Sequence, residues 1–448
     1  MKTFSPAGII VWLQLAAFAY AAEPAAQLNI LFILADDAGW SDLGSYGSAF
    51  YETPHLDRLA SQGMKFTDAY AAGSVCSPTR AALMTGRYPP RIGITNFIGG
   101  HRAGKLQPAA YLDHLPLDEL TIAEALKDAG YTTGIFGKWH LGGAGYSPGQ
   151  QGFDVVDCGV GGGGFNSVDR ADRVTDAALR FLDVHKDKPF FLYLPHNLAH
   201  VPLLAKPELV AKYQKKADLL TSSKAERFRP QGGQQDRRVH DHVTYAAMME
   251  DLDANVGRVL ARLDELKLSD RTIVIFTSDN GGLSTAEGSP TSNAPLRAGK
   301  GWLYEGGIRV PLIVRWPGSV KAGSVCATPV ITNDFYPTLL EACGLSKLQH
   351  VDGASMVPLF KGGWLPKRPL FWHYPHYSNQ GGGPAGAVRL GDWKLIEFYE
   401  DDRAELYNLR DDVGENRDLA AGQSDKVREL RAQLANWRQA VGAKMPLN

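Results

Sequence analysis

The residues best suited to chemistry stand at Cys76-Ser77-Pro78-Thr79-Arg80, continuing as Ala81-Ala82-Leu83-Met84-Thr85-Gly86-Arg87. Pro78 has a fixed φ and no N–H to lose, which suits a first helical turn. Ala81 to Met84 are strong helix formers, and Gly86 can close a short helix. The stretch therefore predicts a turn that delivers Cys76 to a helix N-terminus. That end of a helix favours negative charge, and Arg80 adds a full positive charge one turn in. A cysteine near a proline is ordinarily a small buried hydrophobe; here it would occupy an anion-stabilising corner.

Four other clusters carry charge in a telling position. Asp36-Asp37 follows the apolar run Asn29-Ile30-Leu31-Phe32-Ile33-Leu34, and Asp279-Asn280 follows Thr272-Ile273-Val274-Ile275-Phe276-Thr277. Lys138 and His140 follow Tyr131 to Phe136, while His196 and His200 follow Pro189 to Leu194. Adjacent carboxylates at the end of a buried strand are costly unless something positive neutralises them. Asp36, Asp37, Asp279 and Asn280 offer oxygen ligands only, which suits Ca²⁺ and then Mg²⁺; with no His or Cys beside them, zinc is disfavoured. Arg80, Lys138, His140, His200 and Lys300 add cations or donors. One divalent metal among several cations is built for a multiply oxygenated anion, a sulfate or phosphate ester.

The elements that must position these groups are legible from periodicity. Continuous apolar runs read as strands buried on both faces. Helical patterns cover 54–62, 120–128, 172–184, 245–266, 334–342 and 424–441. Alternation of the two predicts a mostly parallel sheet sandwiched by helices. In such sheets ligands bind outside the carboxyl ends of the strands, so the four clusters should converge on one rim. Pro311 interrupts the strand pattern 306–316 and suggests an edge or bulge position. Residues 221–240 read as an exposed loop. Gly159 to Gly164 is glycine-rich but lacks the Gly-Lys-Ser/Thr ending of a phosphate loop. A composition shift near 364–368 divides a large domain, 22–365, from a C-terminal subdomain, 366–448. In the latter, 388–397 reads as a hairpin, 405–409 as a strand and the end of the chain as a helix.

The 448 residues are 44% hydrophobic and 21% charged, enough for a large core. A net charge of -1 without basic runs gives nucleic-acid binding no electrostatic support. Lys2, the short apolar stretch from Ile9 to Phe18 and Ala19-Tyr20-Ala21 read as a cleaved signal peptide over 1–21, so the protein is expected to be exported, periplasmic or secreted. No later stretch is long enough to span a bilayer. The four cysteines exclude a CxxC motif and leave a Cys326–Cys343 pair open.

Cys76, Pro78, Arg80 and the Thr85-Gly86-Arg87 tail resemble the maturation signature of the type I, formylglycine-dependent sulfatases. Gly130-Tyr131-Thr132-Thr133 with Gly137-Lys138-Trp139-His140 resembles their second signature, and the Asp36-Asp37 pair, Asp279-Asn280 and Gly299-Lys300-Gly301 stand in family order. The resemblance implies an alkaline-phosphatase-like fold and a sulfuric ester hydrolase. It implies that a maturation enzyme converts Cys76 to formylglycine, and that Asp36, Asp37, Asp279, Asn280 and the modified Cys76 hold calcium. It further implies that Arg80 and Lys138 steady the aldehyde hydrate, that Lys138, His200 and Lys300 hold the sulfate, and that His140 takes the proton of the hydrate. The chain departs from several family members after Gln151-Gly152-Phe153-Asp154, where Cys158 and glycines stand in place of a polar side chain. A phosphomonoesterase or phosphodiesterase on the same scaffold, or a silent binder of sulfated ligands retaining a Cys76 thiol, are the competing readings. A sulfated sugar is the expected substrate, with His373 to Tyr377, Arg389, His101 and Trp302 as expected pocket walls.

Overall fold

The computed structural model describes residues 1, 27–158, 167–221, 223–346 and 349–448. Apart from Met1, the expected leader lies outside these residues, as does the glycine run 159–164. Strands follow the apolar runs: β1 (Asn29–Ala35), β2 (Met64–Tyr70), β3 (Thr132–Phe136), β4 (Val155–Asp157) and β5 (Phe190–Pro195) come first. A small hairpin, β6 (Phe228–Gln231) and β7 (Gln234–Arg237), precedes β8 (Thr272–Ser278), β9 (Arg309–Arg315), β10 (Ser324–Cys326) and β11 (Val330–Ile331). Among the described residues the large sheet has nine strands in the order β10-β2-β9-β8-β1-β5-β3-β4, with β11 also paired to β2. Every pairing is parallel except the two made by β9.

Both faces of β1 are covered, which is why its sequence is apolar throughout rather than alternating. Ile30, Phe32 and Leu34 pack into one core with α2 (Cys76–Thr85), α3 (Ile122–Asp128) and α6 (Phe335–Ala342). Leu31 and Ile33 pack into the other with α1 (Pro54–Gln62), α4 (Arg170–His185) and α5 (Val243–Glu265). A second, four-stranded antiparallel sheet joins β12 (Pro369–Tyr374), β13 (Ala385–Leu390), β14 (Trp393–Phe398) and β15 (Ala404–Asn408). It packs with α7 (Ser424–Ala440) in a third core that also takes in Tyr70 and Val75. Trp372 Nε1 donates to the Ala71 carbonyl at 2.8 Å, so this sheet clamps the chain that leads to Cys76.

One expectation needs correction, and two alternatives left open are settled. Of the edge or bulge position expected for Pro311, the structure takes the second, because β9 lies between β2 and β8. Pro311 stands opposite the register shift between Phe66 and Ala69 of β2, where no ladder N–H is required of it. Residues 228–237 form a hairpin rather than a loop. Gly232 and Gly233, at φ 51° and 80°, supply the two left-handed residues of a tight two-residue turn. All four cysteines are free, so Cys326 and Cys343 are not joined. Among the described residues no helix is long and apolar enough to cross a membrane.

Candidate active site

The strand order β8-β1-β5-β3 places four parallel strands side by side, and the charged clusters follow their carboxyl ends. Adjacent side chains in an extended chain point to opposite faces. Asp37 avoids this with a left-handed backbone (φ 66°), which any residue bearing a Cβ adopts at some cost. Lys138 Nζ then donates to Asp36 Oδ2 and Lys300 Nζ to Asp37 Oδ2, each at 2.7 Å. Burial alone would raise both carboxyls, but Lys138, His200 and Arg80 outweigh it at Asp36, and Lys300 and His200 at Asp37, so both stay ionised.

Helix α2 begins at Cys76 and closes at Gly86 (φ 69°), whose N–H donates to the Ala82 carbonyl. Cys76 Sγ lies 3.6 Å from Asp36 Oδ1. Burial works against its ionisation, yet Lys138 and Lys300 prevail and bring the thiol down to about 7. Arg80 is fully buried. Its Nε and one terminal nitrogen donate to Asp279 Oδ2 at 3.0 and 2.7 Å, and its other nitrogen donates to the Lys138 carbonyl at 2.7 Å. Burial and the neighbouring Asp36 push the Asp279 carboxyl up to about 8. Asp37, Cys76 and His200 join Asp36 in one cluster whose ligand atoms all lie within 4.8 Å of one another. Asn280 Nδ2 donates to Asp37 Oδ1 at 2.8 Å, leaving Asn280 Oδ1 buried without a partner. Carboxylates crowded around an unsatisfied amide oxygen could hold a metal ion, and, against the expectation that no His or Cys would stand beside them, Cys76 and His200 belong to the same cluster.

A family model described as Sulfatase matches residues 28–345, and another, N-sulphoglucosamine sulphohydrolase, C-terminal, matches 298–440. The chain belongs to the sulfatase family. It is 34% identical to a "Sulfatase" of Formosa agariphila over 92% of this chain and 88% of that one. It is also 34% identical to the N-acetylgalactosamine-6-sulfatase of Canis lupus familiaris over 82% of this chain and 71% of the other. Its fold is similar to the crystal structure of Ps i-CgsB in complex with k-i-k-neocarrahexaose, with a TM-score of 0.76 and 30% identity over 92% of both chains. As a sulfatase it is a sulfuric ester hydrolase.

The sulfatase's charged cluster forms the floor of a cavity of about 850 Å³. His200 Nδ1 is 2.6 Å from the Val201 carbonyl, and its Nε2 lies 3.8 Å from Asp37 Oδ2. Burial opposes its charging, but Asp36 and Asp37 outweigh burial and Lys300, so its pKa is raised. His140 Nε2 donates to the Ile98 carbonyl at 3.2 Å and its buried Nδ1 has no partner. Burial, with Lys138 and Arg80 close by, drives His140 down to about 3, a neutral imidazole with its Nδ1 lone pair free.

The expected walls are elsewhere. His373 is held by Tyr399 and the Lys444 carbonyl, Arg389 pairs with Asp68, and Trp302 is buried against Thr285 and Gln380. His101 and His376 line a separate cavity of about 290 Å³. Phe97, Ile98, Trp139, Val201, Pro202 and Glu287 wall the main cavity instead, and Cys158 also reaches it. Two positioning residues escaped the sequence reading. Ser77 donates to the His140 carbonyl and accepts the Ile98 N–H, so the variable position of the signature ties Cys76 to the His140 turn. Arg170 donates to the carbonyls of His200 and Pro202; nothing in its local sequence distinguishes it from a solvated helix start.

Proposed function

We propose that this sulfatase removes sulfate from a sulfated carbohydrate after Cys76 has been converted to formylglycine, with calcium as its resident metal. The observation that carries the reading is the placement of Cys76 at the start of α2, 3.6 Å from Asp36 and among Lys138, Lys300 and His200. The name of the similar N-acetylgalactosamine-6-sulfatase and that of the ligand in the similar crystal structure support a sugar substrate. The expected leader and the need for a maturation enzyme fit an exported protein.

Asp36, Asp37, Asp279 and Asn280 would hold calcium together with an oxygen of the modified residue 76, and His200 Nε2 borders the same cluster. Bound there, the cation would polarise the sulfur–oxygen bonds of the ester. Formylglycine hydrate offers two hydroxyls at one carbon, one to attack sulfur in line and one to expel sulfate afterwards. A thiol has no second hydroxyl, which separates the hydrolase from a silent binder. Lys138, His200 and Lys300 present donors to the sulfate oxygens. His200 or Lys300 returns a proton to the departing alcohol, and His140, with Nδ1 open, accepts the hydrate's proton when sulfate leaves.

The test is the mass of the tryptic peptide Phe66 to Arg80 from protein made with a competent maturation system, read beside hydrolysis of 4-nitrophenyl sulfate. The expected result is an aldehyde or hydrate at residue 76 in active protein. Cys76→Ala should lower kcat on the order of 10⁶-fold while leaving the unfolding midpoint in place. Active protein with an unmodified thiol sinks the mechanism.

A further inference from the structure

Among the described residues two carboxylates line the cavity, Asp36 and Glu287. Asp36 is neutralised by Lys138 and Arg80. Glu287 is exposed to the cavity and has no cationic partner among the described residues. Its position is nevertheless built. Gln380 Nε2 donates to Glu287 Oε1 at 2.8 Å. Gln380 is itself buried, its Oε1 accepting Ser378 Oγ at 2.6 Å and its carbonyl accepting Thr285 Oγ1 and Trp302 Nε1, each at 2.9 Å. The Glu287 loop takes three left-handed residues in a row, Glu287, Gly288 and Ser289. The β6–β7 hairpin braces it: the Arg237 N–H donates to the Ser284 carbonyl and the Arg237 guanidinium to that of Ser289. The second carboxylate oxygen has no hydrogen-bond donor among the described residues, while Trp139, Phe97, Ile98 and Val201 make other walls apolar.

A fixed carboxylate with an open oxygen accepts hydrogen bonds from hydroxyl groups well and repels anions. We infer that Glu287 is a specificity-determining residue: it receives free hydroxyl groups of the ring bearing the scissile sulfate and rejects rings bearing a second sulfate or a carboxylate. The substrate class is then a singly sulfated, otherwise neutral sugar. Discrimination of this kind works through repulsion as much as through fit. The inference rests on the sulfated-carbohydrate reading above.

The experiment uses full-length matured protein and compares kcat/KM on the 4-sulfates and 6-sulfates of galactose and N-acetylgalactosamine with that on their 4,6-disulfates. Wild type should prefer the better monosulfate by at least about 10-fold. Glu287→Gln should bring the ratio to within about 3-fold through gain on the disulfate, whereas Glu287→Asp, which keeps the charge, should retain the preference. Salt provides a test independent of any variant, because the wild-type ratio should shrink as ionic strength rises. Equal use of monosulfate and disulfate by wild type, a ratio untouched by Glu287→Gln, or a ratio indifferent to salt overturns the inference. 4-Nitrophenyl sulfate is run in parallel. Its hydrolysis without turnover of any sugar overturns the inference and leaves sulfate-ester chemistry standing; no hydrolysis of either by protein carrying the aldehyde defeats the mechanism itself.

Discussion

Arg80 shows how one residue serves both fold and site. It places three N–H groups on Asp279 and on the carbonyl of Lys138, so one guanidinium ties the rims of β8 and β3 to α2. Arg80→Met would leave the ionised Asp36 and its neighbour Asp279 buried without the guanidinium that pairs with both. Removing one partner of a buried pair costs about 3–5 kcal/mol, to be read as a lower urea midpoint at constant m-value. Arg80→Lys should recover only part of this, because an ammonium cannot span the same acceptors. A Met variant as stable as wild type would contradict the pairing.

Among the elements, the turn after β3 is the one most constrained by its neighbours. Gly137 has φ 122°, and a Cβ there would stand 2.0 Å from the Pro195 carbonyl oxygen at the end of β5. The Lys138 N–H donates to that same carbonyl at 2.8 Å. Gly137→Ala must therefore separate the ends of two neighbouring strands and carry Lys138 off Asp36. The expected outcome is a loss of about 1–3 kcal/mol with at least about a 10-fold drop in kcat/KM on an aryl sulfate. A variant that loses stability but keeps full activity would show that the turn does not position Lys138.

At the scale of the molecule, a buried ionic network joins the two sheets. Lys394 of β14 lies 2.9 Å from both Glu305 and Glu415. Glu305 accepts Tyr70 Oη at 2.6 Å, and Arg309 pairs with Glu305 and Asp68. Burial would raise Glu305, but Lys394 and Arg309 hold it down at about 2; Glu415, buried and repelled by Glu305, is pushed up to about 7 despite Lys394. Lys394→Met should cost about 3–5 kcal/mol in denaturant unfolding; a change under 1 kcal/mol would mean the sheets are held by apolar packing alone. Acid should act on the same subdomain. Burial brings His373 from 6.5 to about 4, and its Nδ1 accepts the Tyr399 hydroxyl while Nε2–H donates to the Lys444 carbonyl. Its folded pKa lies below the unfolded one, so its stabilisation is whole above pH 6.5 and is lost as pH falls through about 4. That amounts to roughly 3 kcal/mol at most. His373→Gln should flatten the stability profile in that window, and an unchanged profile would exclude this histidine as its source.

The sequence by itself determined the six longer strands of the large sheet (β1, β2, β3, β5, β8 and β9) but not the short β4, β10 and β11, together with the helix that begins at Cys76 and the polar clusters after β1, β3, β5 and β8. These are local properties: an apolar run buried on both faces, a proline and a glycine bounding a helix, a charge where a strand must end. Tertiary structure alone decided which cation meets which carboxylate, because Lys138 reaches Asp36 across 102 residues and Lys300 reaches Asp37 across 263. It also decided the walls. His373, Arg389 and Trp302 have the residue types of a sugar pocket, but all three are buried and bonded within the fold, while Glu287, held by a buried glutamine from the second sheet's connecting loop, faces the cavity. Residue type states what a side chain can do; the partners that long-range packing brings within a few ångström settle what it does.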